Sequence, residues 1–165
     1  MGILHQAGDD VGELLMPFVA KHGHAGLSAE AIDLAYTEAS LAGHRLIADS
    51  HSALPALKKQ FGRLASLSND VSSWSLKLRR RFELESWIDE WLISDDLGLR
   101  KPSPAIYLKA VERLGVAPRE ITFVDDRPRN LDSAQDLGIN TVLRDVGGDQ
   151  PRSSHRRIRR LIDLL

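Results

Sequence analysis

The feature that most constrains this chain is a rhythm in its C-terminal two-thirds, where short apolar runs alternate with stretches of helical periodicity. Residues 64–67, 91–93, 121–124 and 141–143 are short apolar runs and predict strands. Between them, residues 72–82 predict a helix, with Trp74, Leu78 and Phe82 at four-residue spacing. Ser103-Pro104 predicts an N-cap followed by proline at the first helical position. That helix buries Ile106, Ala110, Val111 and Leu114, and Gly115 stops it. Residues 130–137 predict a helix with Leu131, Ala134 and Leu137 inward, closed by Gly138. A last helix is expected from about Ser154, with Ile158, Leu161, Ile162 and Leu165 on one face. Such alternation predicts an α/β fold, a mainly parallel sheet covered by helices on both faces.

In sheets of this kind a ligand sits beyond the carboxyl ends of the strands. The residues following each run are therefore the candidates for chemistry. Ser68 and Asn69 follow the first run, and Asp125 and Asp126 follow the third. The second leads through Asp95, Asp96 and a glycine turn to Lys101. Serine and lysine are phosphate-binding groups, and paired carboxylates are hard oxygen donors suited to magnesium. Adjacent carboxylates after a buried strand repel each other unless a cation compensates. That favours a metal over a plain turn and helix cap at Asp125-Asp126. For Ser68 the competing role is to cap the following helix, although Asp70 or Ser72 can do so. For Lys101 a merely solvated lysine is the second choice.

The N-terminal part reads differently. Residues 11–22 and 28–41 predict helices joined by a turn at 23–26, residues 42–53 are irregular, and 54–61 predict another helix. His22, His24, His44 and His51 lack a fixed ligand spacing and read as exposed or loop histidines. Trp74, Trp87 and Trp91 read as packing residues. Arg152, Arg156, Arg157, Arg159 and Arg160 read as the solvated face of the last helix. The 165 residues suit one compact domain with a small appendage. The absence of cysteine excludes disulfides and thiolate metal sites. A net charge of -1 argues against a nucleic-acid or anionic-membrane partner. With no secretory signal pattern, a cytoplasmic location is expected.

Three segments together resemble the haloacid dehalogenase superfamily of hydrolases, over roughly residues 54–143. Leu64-Ala-Ser-Leu-Ser68-Asn69 resembles its second motif. Leu97-Gly-Leu-Arg-Lys101-Pro-Ser-Pro-Ala-Ile-Tyr107 resembles the third, and Phe123-Val-Asp125-Asp126-Arg-Pro-Arg-Asn130-Leu-Asp-Ser-Ala134 the fourth. The Asp-Leu-Gly-x-Arg-Lys-Pro and Asp-Asp…Asn patterns are most similar to the subgroup containing sugar-1-phosphate phosphatases. The resemblance implies a Rossmann-like three-layer core over residues 54–165 and a helical cap over residues 1–53, here reduced. A naturally reduced cap and a truncated sequence both account for its brevity.

The resemblance also implies a mechanism. An aspartate attacks a phosphate ester and water hydrolyses the resulting aspartyl-phosphate. Ser68 and the backbone at Asn69 would bind phosphate, and Lys101 would bridge phosphate and nucleophile. Asp126 would hold magnesium, with Asp125 either beside it on the metal or just behind. The first motif is degenerate. Asp10-Val11-Gly12-Glu13-Leu14-Leu15 resembles an Asp-x-Gly-x-Val variant, making Asp10 nucleophile and metal ligand and leaving Gly12 where a general acid would stand. Another alignment places Gln6 at the nucleophile position, which would remove phosphoryl transfer. The expected function is a magnesium-dependent phosphatase acting on a small phosphorylated metabolite, with room for a homodimer. The alternatives are an inactive binding module of the same fold and a 2-haloacid dehalogenase.

Overall fold

The computed structural model describes Gly26, Ser28, Ala31, Leu34, Ala35, Glu38 and residues 43–47, 49–148 and 153–165. Ala31, Leu34, Ala35 and Glu38 are helical, and Ser28 Oγ accepts the Ala31 N–H at 3.2 Å, the cap expected of a helix starting there.

Helix α1 runs Ser50–Phe61 and buries Ala53, Leu54 and Leu57. It begins earlier than the sequence suggests, inside the stretch 42–53 expected to be irregular. The reason lies at the other end of the chain. Asp49, just before the helix, takes the Arg144 guanidinium at 2.6 Å and also accepts the Leu161 N–H. With Asp49 pinned, its carbonyl accepts the Ala53 N–H at 3.0 Å and closes the first turn.

Strand β1, Ala65–Ser68, pairs in parallel with β2, Glu90–Ile93, placing Ser68 opposite Ile93. Helix α2, Ser72–Arg81, connects them. Its spaced Trp74, Leu78 and Phe82 stay half-buried, and only Ser75 in the helix is fully buried. Strand β2 passes into a single turn, α3, Ser94–Leu97, closed by Gly98 at φ 62°. Helix α4, Pro104–Leu114, starts on the expected proline and ends at Gly115, whose φ of 65° suits a residue without Cβ.

Strand β3, Thr122–Asp125, leads to helix α5, Pro128–Gln135, and then to β4, Asn140–Arg144. Strands β3 and β4 are parallel, with Asp125 opposite Leu143. Strand β5, Arg156–Ile158, adds to β4 in parallel, so the order is β3-β4-β5.

The C-terminus departs from expectation. In place of a helix from Ser154 there is strand β5 and a short 3-10 turn, Leu161–Leu164. The helical spacing of Ile158, Leu161, Ile162 and Leu165 is outweighed by what β4 offers, an edge of backbone groups to pair with. Strand β5 takes that edge and buries Ile158. His155 anchors the entry: its buried ring meets Thr141 Oγ1 of β4 at 2.8 Å and Asp132 Oδ1 of α5 at 3.0 Å. The arginines are accordingly not one solvated helical face. Arg157 pairs with buried Asp145 at 2.7 Å and Arg160 with Asp163 at 2.8 Å, and Arg156 donates to the Asp163 carbonyl at 2.7 Å.

Among the described residues the strands form two hydrogen-bonded sheets, β1-β2 and β3-β4-β5, where one sheet was expected. A common core joins them. Ile106 and Tyr107 of α4, Ala134 of α5 and Ile139 pack with Leu67 of β1 and Phe123 of β3. The two sheets are also joined at their carboxyl ends, by a lysine.

Candidate active site

Lys101 crosses between the sheets. Its Nζ donates to the Leu67 carbonyl of β1 at 2.7 Å and to Asp125 Oδ2 of β3 at 2.8 Å, and lies 5.4 Å from the centre of the Phe123 ring. The ion pair is largely withdrawn from water, with side-chain exposures of 11% for Lys101 and 5% for Asp125. A solvated surface lysine is therefore ruled out. The Lys101–Pro102 peptide is cis.

Asp125 is satisfied on both oxygens. Besides Lys101 it accepts the Arg127 N–H and Asn130 Nδ2 on Oδ1, each at 2.9 Å. Asn130 is itself fixed, because its carbonyl accepts the Tyr107 hydroxyl at 2.9 Å. Tyr107 packs edge-on to Phe123, ring centres 5.6 Å apart. Burial, and secondarily the negative charge of Asp125, pushes ionisation of the Tyr107 hydroxyl well above its ordinary range, so Tyr107 is a permanent donor.

Asp126 is the opposite case. It is exposed, and its carboxylate has no hydrogen bond or ion pair among the described residues. It lines a cleft of about 510 Å³ together with Val124, Asp125, Arg144, Asp145 and Val146 at the ends of β3 and β4. The other charges there are spoken for. Arg144 pairs with Asp49, and Asp145 accepts Arg157 and the Gly148 N–H. Adjacent aspartates thus face different ways, Asp125 inward to Lys101 and Asp126 to the cleft. A partnerless carboxylate beside a saturated one fits a hard divalent cation of which the protein supplies few ligands. Among the described residues no group of three or more His, Asp or Glu comes together as a metal cluster.

Ser68 ends β1 half-buried. The rival role of helix cap is filled by others. Asp95 Oδ2 accepts the Ser72 N–H at 3.1 Å and Asp70 Oδ1 accepts the Val71 N–H at 2.8 Å. Ser94 Oγ bonds both the N–H and the carbonyl of Asp70. Burial, opposed by the Val71 N–H bond and by His44, leaves the Asp70 carboxyl above the ordinary carboxylate range, and Asp95 adds to the rise.

Asn69 does something its position in a motif does not announce. Its side-chain amide accepts the Lys101 N–H on Oδ1 at 2.8 Å and donates from Nδ2 to the Lys101 carbonyl at 2.9 Å. Asn69 and Asp125 are thereby linked through Lys101, with Ser68 and Asp126 each adjacent to one of them in sequence. Asp10 and Gln6, the two candidates for the nucleophile position, lie outside the described residues, as do His22, His24 and Arg152. Asn130 and Tyr107 entered the sequence reading only as members of the fourth and third motifs. That Asn130 holds Asp125 and Tyr107 holds the Asn130 carbonyl appears only in the structure.

The model of haloacid dehalogenase-like hydrolases matches residues 5–138, and the chain belongs to that family. It is 35% identical over 103 residues to (S)-2-haloacid dehalogenase 4A of Burkholderia cepacia, covering 62% of this chain and 45% of that one. It is 30% identical over 90 residues to the phosphorylated carbohydrates phosphatase of Thermotoga maritima, covering 54% and 42%. A dehalogenase crystal structure superposes with a TM-score of 0.70 at 28% identity, over 93% of this chain and 68% of that one. The chain thus spans about half the length of these two curated relatives. Among the described residues no helix is long and apolar enough to cross a membrane.

Proposed function

We propose that the chain is a magnesium-dependent phosphatase acting on a small phosphomonoester, with residues 1–53 forming a reduced cap over a core of residues 54–165. The observation that carries this reading is the division of labour between Asp125 and Asp126. Asp125 is consumed in holding Lys101, which leaves Asp126 exposed at the cleft as a cation ligand. A dehalogenase has no need of that second carboxylate, which favours phosphoryl chemistry over the dehalogenase alternative.

On this reading Asp10 is the nucleophile. Its carboxylate oxygen bonds to phosphorus as the ester oxygen departs with the alcohol. Water then attacks the same phosphorus, releasing inorganic phosphate and regenerating Asp10. Lys101, the Ser68 hydroxyl and the Asn69 backbone N–H hold the phosphoryl oxygens while charge builds on them. Asp126 and Asp10 would hold a magnesium ion, which when bound would supply further neutralisation of that charge. Gly12 cannot protonate the departing oxygen. General acid catalysis typically contributes about 10²–10⁴-fold, so good leaving groups are favoured.

The test is release of phosphate from an aryl phosphate by the purified protein. Turnover should require magnesium and vanish in Asp10→Asn and Asp126→Ala. Activity that survives Asp10→Asn removes Asp10 as nucleophile. Halide release from a short 2-haloacid without phosphatase activity replaces this reading with dehalogenation, and neither activity leaves the inactive module.

A further inference from the structure

Every member of the site but one has a role in the proposed reaction that its chemistry explains. The exception is the side chain of Asn69. The proposed reaction uses its backbone N–H, whereas both polar atoms of its carboxamide are committed to a residue 32 positions away in the chain. We infer that Asn69 is a positioning residue whose carboxamide clamps the peptide of Lys101, so that strand β1 dictates where the ammonium sits. The inference rests on the phosphatase reading for its catalytic consequence and on geometry alone for the clamp.

Lys101 occupies a turn between α3 and α4, where no strand offers it a backbone partner. The next residue, Pro102, has no N–H to add. A primary carboxamide presents an acceptor and a donor side by side, like a peptide group. Asn69 uses that pair to close a two-bond ring on the N–H and carbonyl of Lys101, as two residues do in a hydrogen-bonded antiparallel pair. The tip of the Lys101 side chain is held by the carbonyl of Leu67 in β1, two residues before Asn69, which directly follows that strand. Lys101 is therefore referenced at its tip to β1 and at its root to the residue after β1, and to β3 only through Asp125. Ser68 lies between Leu67 and Asn69 in sequence. The hydroxyl and the ammonium that share the phosphoryl oxygens are thus set relative to one another by a single short segment.

No other small side chain meets this requirement. Serine offers one atom, and glutamine is longer by a methylene. Aspartate accepts the N–H but turns its second oxygen against the Lys101 carbonyl.

The experiment has two independent readouts. The first is amide hydrogen exchange of Lys101, measured with the full chain and without substrate. In Asn69→Ala the Lys101 amide should exchange at least about tenfold faster, with the Leu92 and Ile93 amides unchanged. Asn69→Asp, which keeps the acceptor and loses the donor, should fall between. Unchanged Lys101 exchange overturns the clamp.

The second readout is a kinetic cycle on an aryl phosphate. Asn69→Ala should lower kcat by roughly 10–100-fold with little change in KM, as expected for a misplaced charge-stabilising group. In a Lys101→Met background the same substitution should cost nothing further, since Asn69 acts only through Lys101. A raised KM at unchanged kcat would make Asn69 a substrate contact, and a further loss in the Lys101→Met background would give it a role of its own. Either result overturns the inference. A wild-type protein that turns over no phosphate ester retires the phosphatase reading instead, and exchange then decides the clamp by itself.

Discussion

Replacing Lys101 with methionine tests whether the lysine holds the two sheets together. Methionine keeps most of the apolar stem over Phe123 and deletes the ammonium. Two charge-assisted hydrogen bonds disappear, to Leu67 O at 2.7 Å and to Asp125 Oδ2 at 2.8 Å. Hydrogen bonds involving a charged group are worth about 1.5–3 kcal/mol each, and removing one partner of a buried ion pair costs about 3–5 kcal/mol. The Arg127 N–H and Asn130 Nδ2 still serve Asp125 Oδ1, which places the cost near the lower end, about 3 kcal/mol. For a chain of this length that lowers Tm by roughly 6–12 °C at neutral pH. Thermal denaturation of wild type, Lys101→Met, Asp125→Asn and the double variant completes the cycle. The double variant should be more stable than Lys101→Met, because the stranded charge is gone. Additive effects of the two substitutions would refute the reasoning.

Tyr107→Phe deletes the hydroxyl that holds the Asn130 carbonyl and should cost about 1 kcal/mol, seen as a fall in Tm of roughly 2–4 °C. An unchanged Tm would mean that the bond contributes nothing net. Asp70→Asn should stabilise the protein at neutral pH. The Asp70 carboxyl is raised in the folded state, so its contribution favours folding below the ordinary carboxylate value and is lost as pH rises through the folded one. Asparagine keeps the acceptor for the Val71 N–H and carries no charge to desolvate. Denaturant midpoints against pH should show the gain above that range and its disappearance in acid. A gain that persists below pH 3.8 would contradict the assigned cause.

What could be read from the sequence is what local chemistry determines. Pro104 and Gly115 bound α4 as their backbone preferences require, and the β-prone run 121–124 forms a strand shifted by one residue, Thr122–Asp125. Ser68, Lys101 and Asp125 fall at the ends of elements, where a parallel sheet exposes its ligands, so their candidacy needed only the rhythm of strand and helix. Tertiary structure decided the rest. The spacing of Ile158, Leu161, Ile162 and Leu165 satisfies a helix, yet residues 156–158 are a strand, because the open edge of β4 outbids a short helix that must first nucleate. Helix α1 begins at Ser50 because Arg144 and the Leu161 N–H, roughly a hundred residues on, hold Asp49. The residues of the chain alone give the two adjacent aspartates no different surroundings, although the family resemblance assigns the metal to Asp126. Only the arrival of Lys101 and Asn130 from separate elements makes Asp125 a buried anchor and leaves Asp126 facing the cleft. Asn69 gains its role the same way, from a backbone 32 residues distant. A residue's own preferences are written in its neighbourhood along the chain, whereas its hydrogen-bond partners are chosen by whichever elements the core brings alongside it.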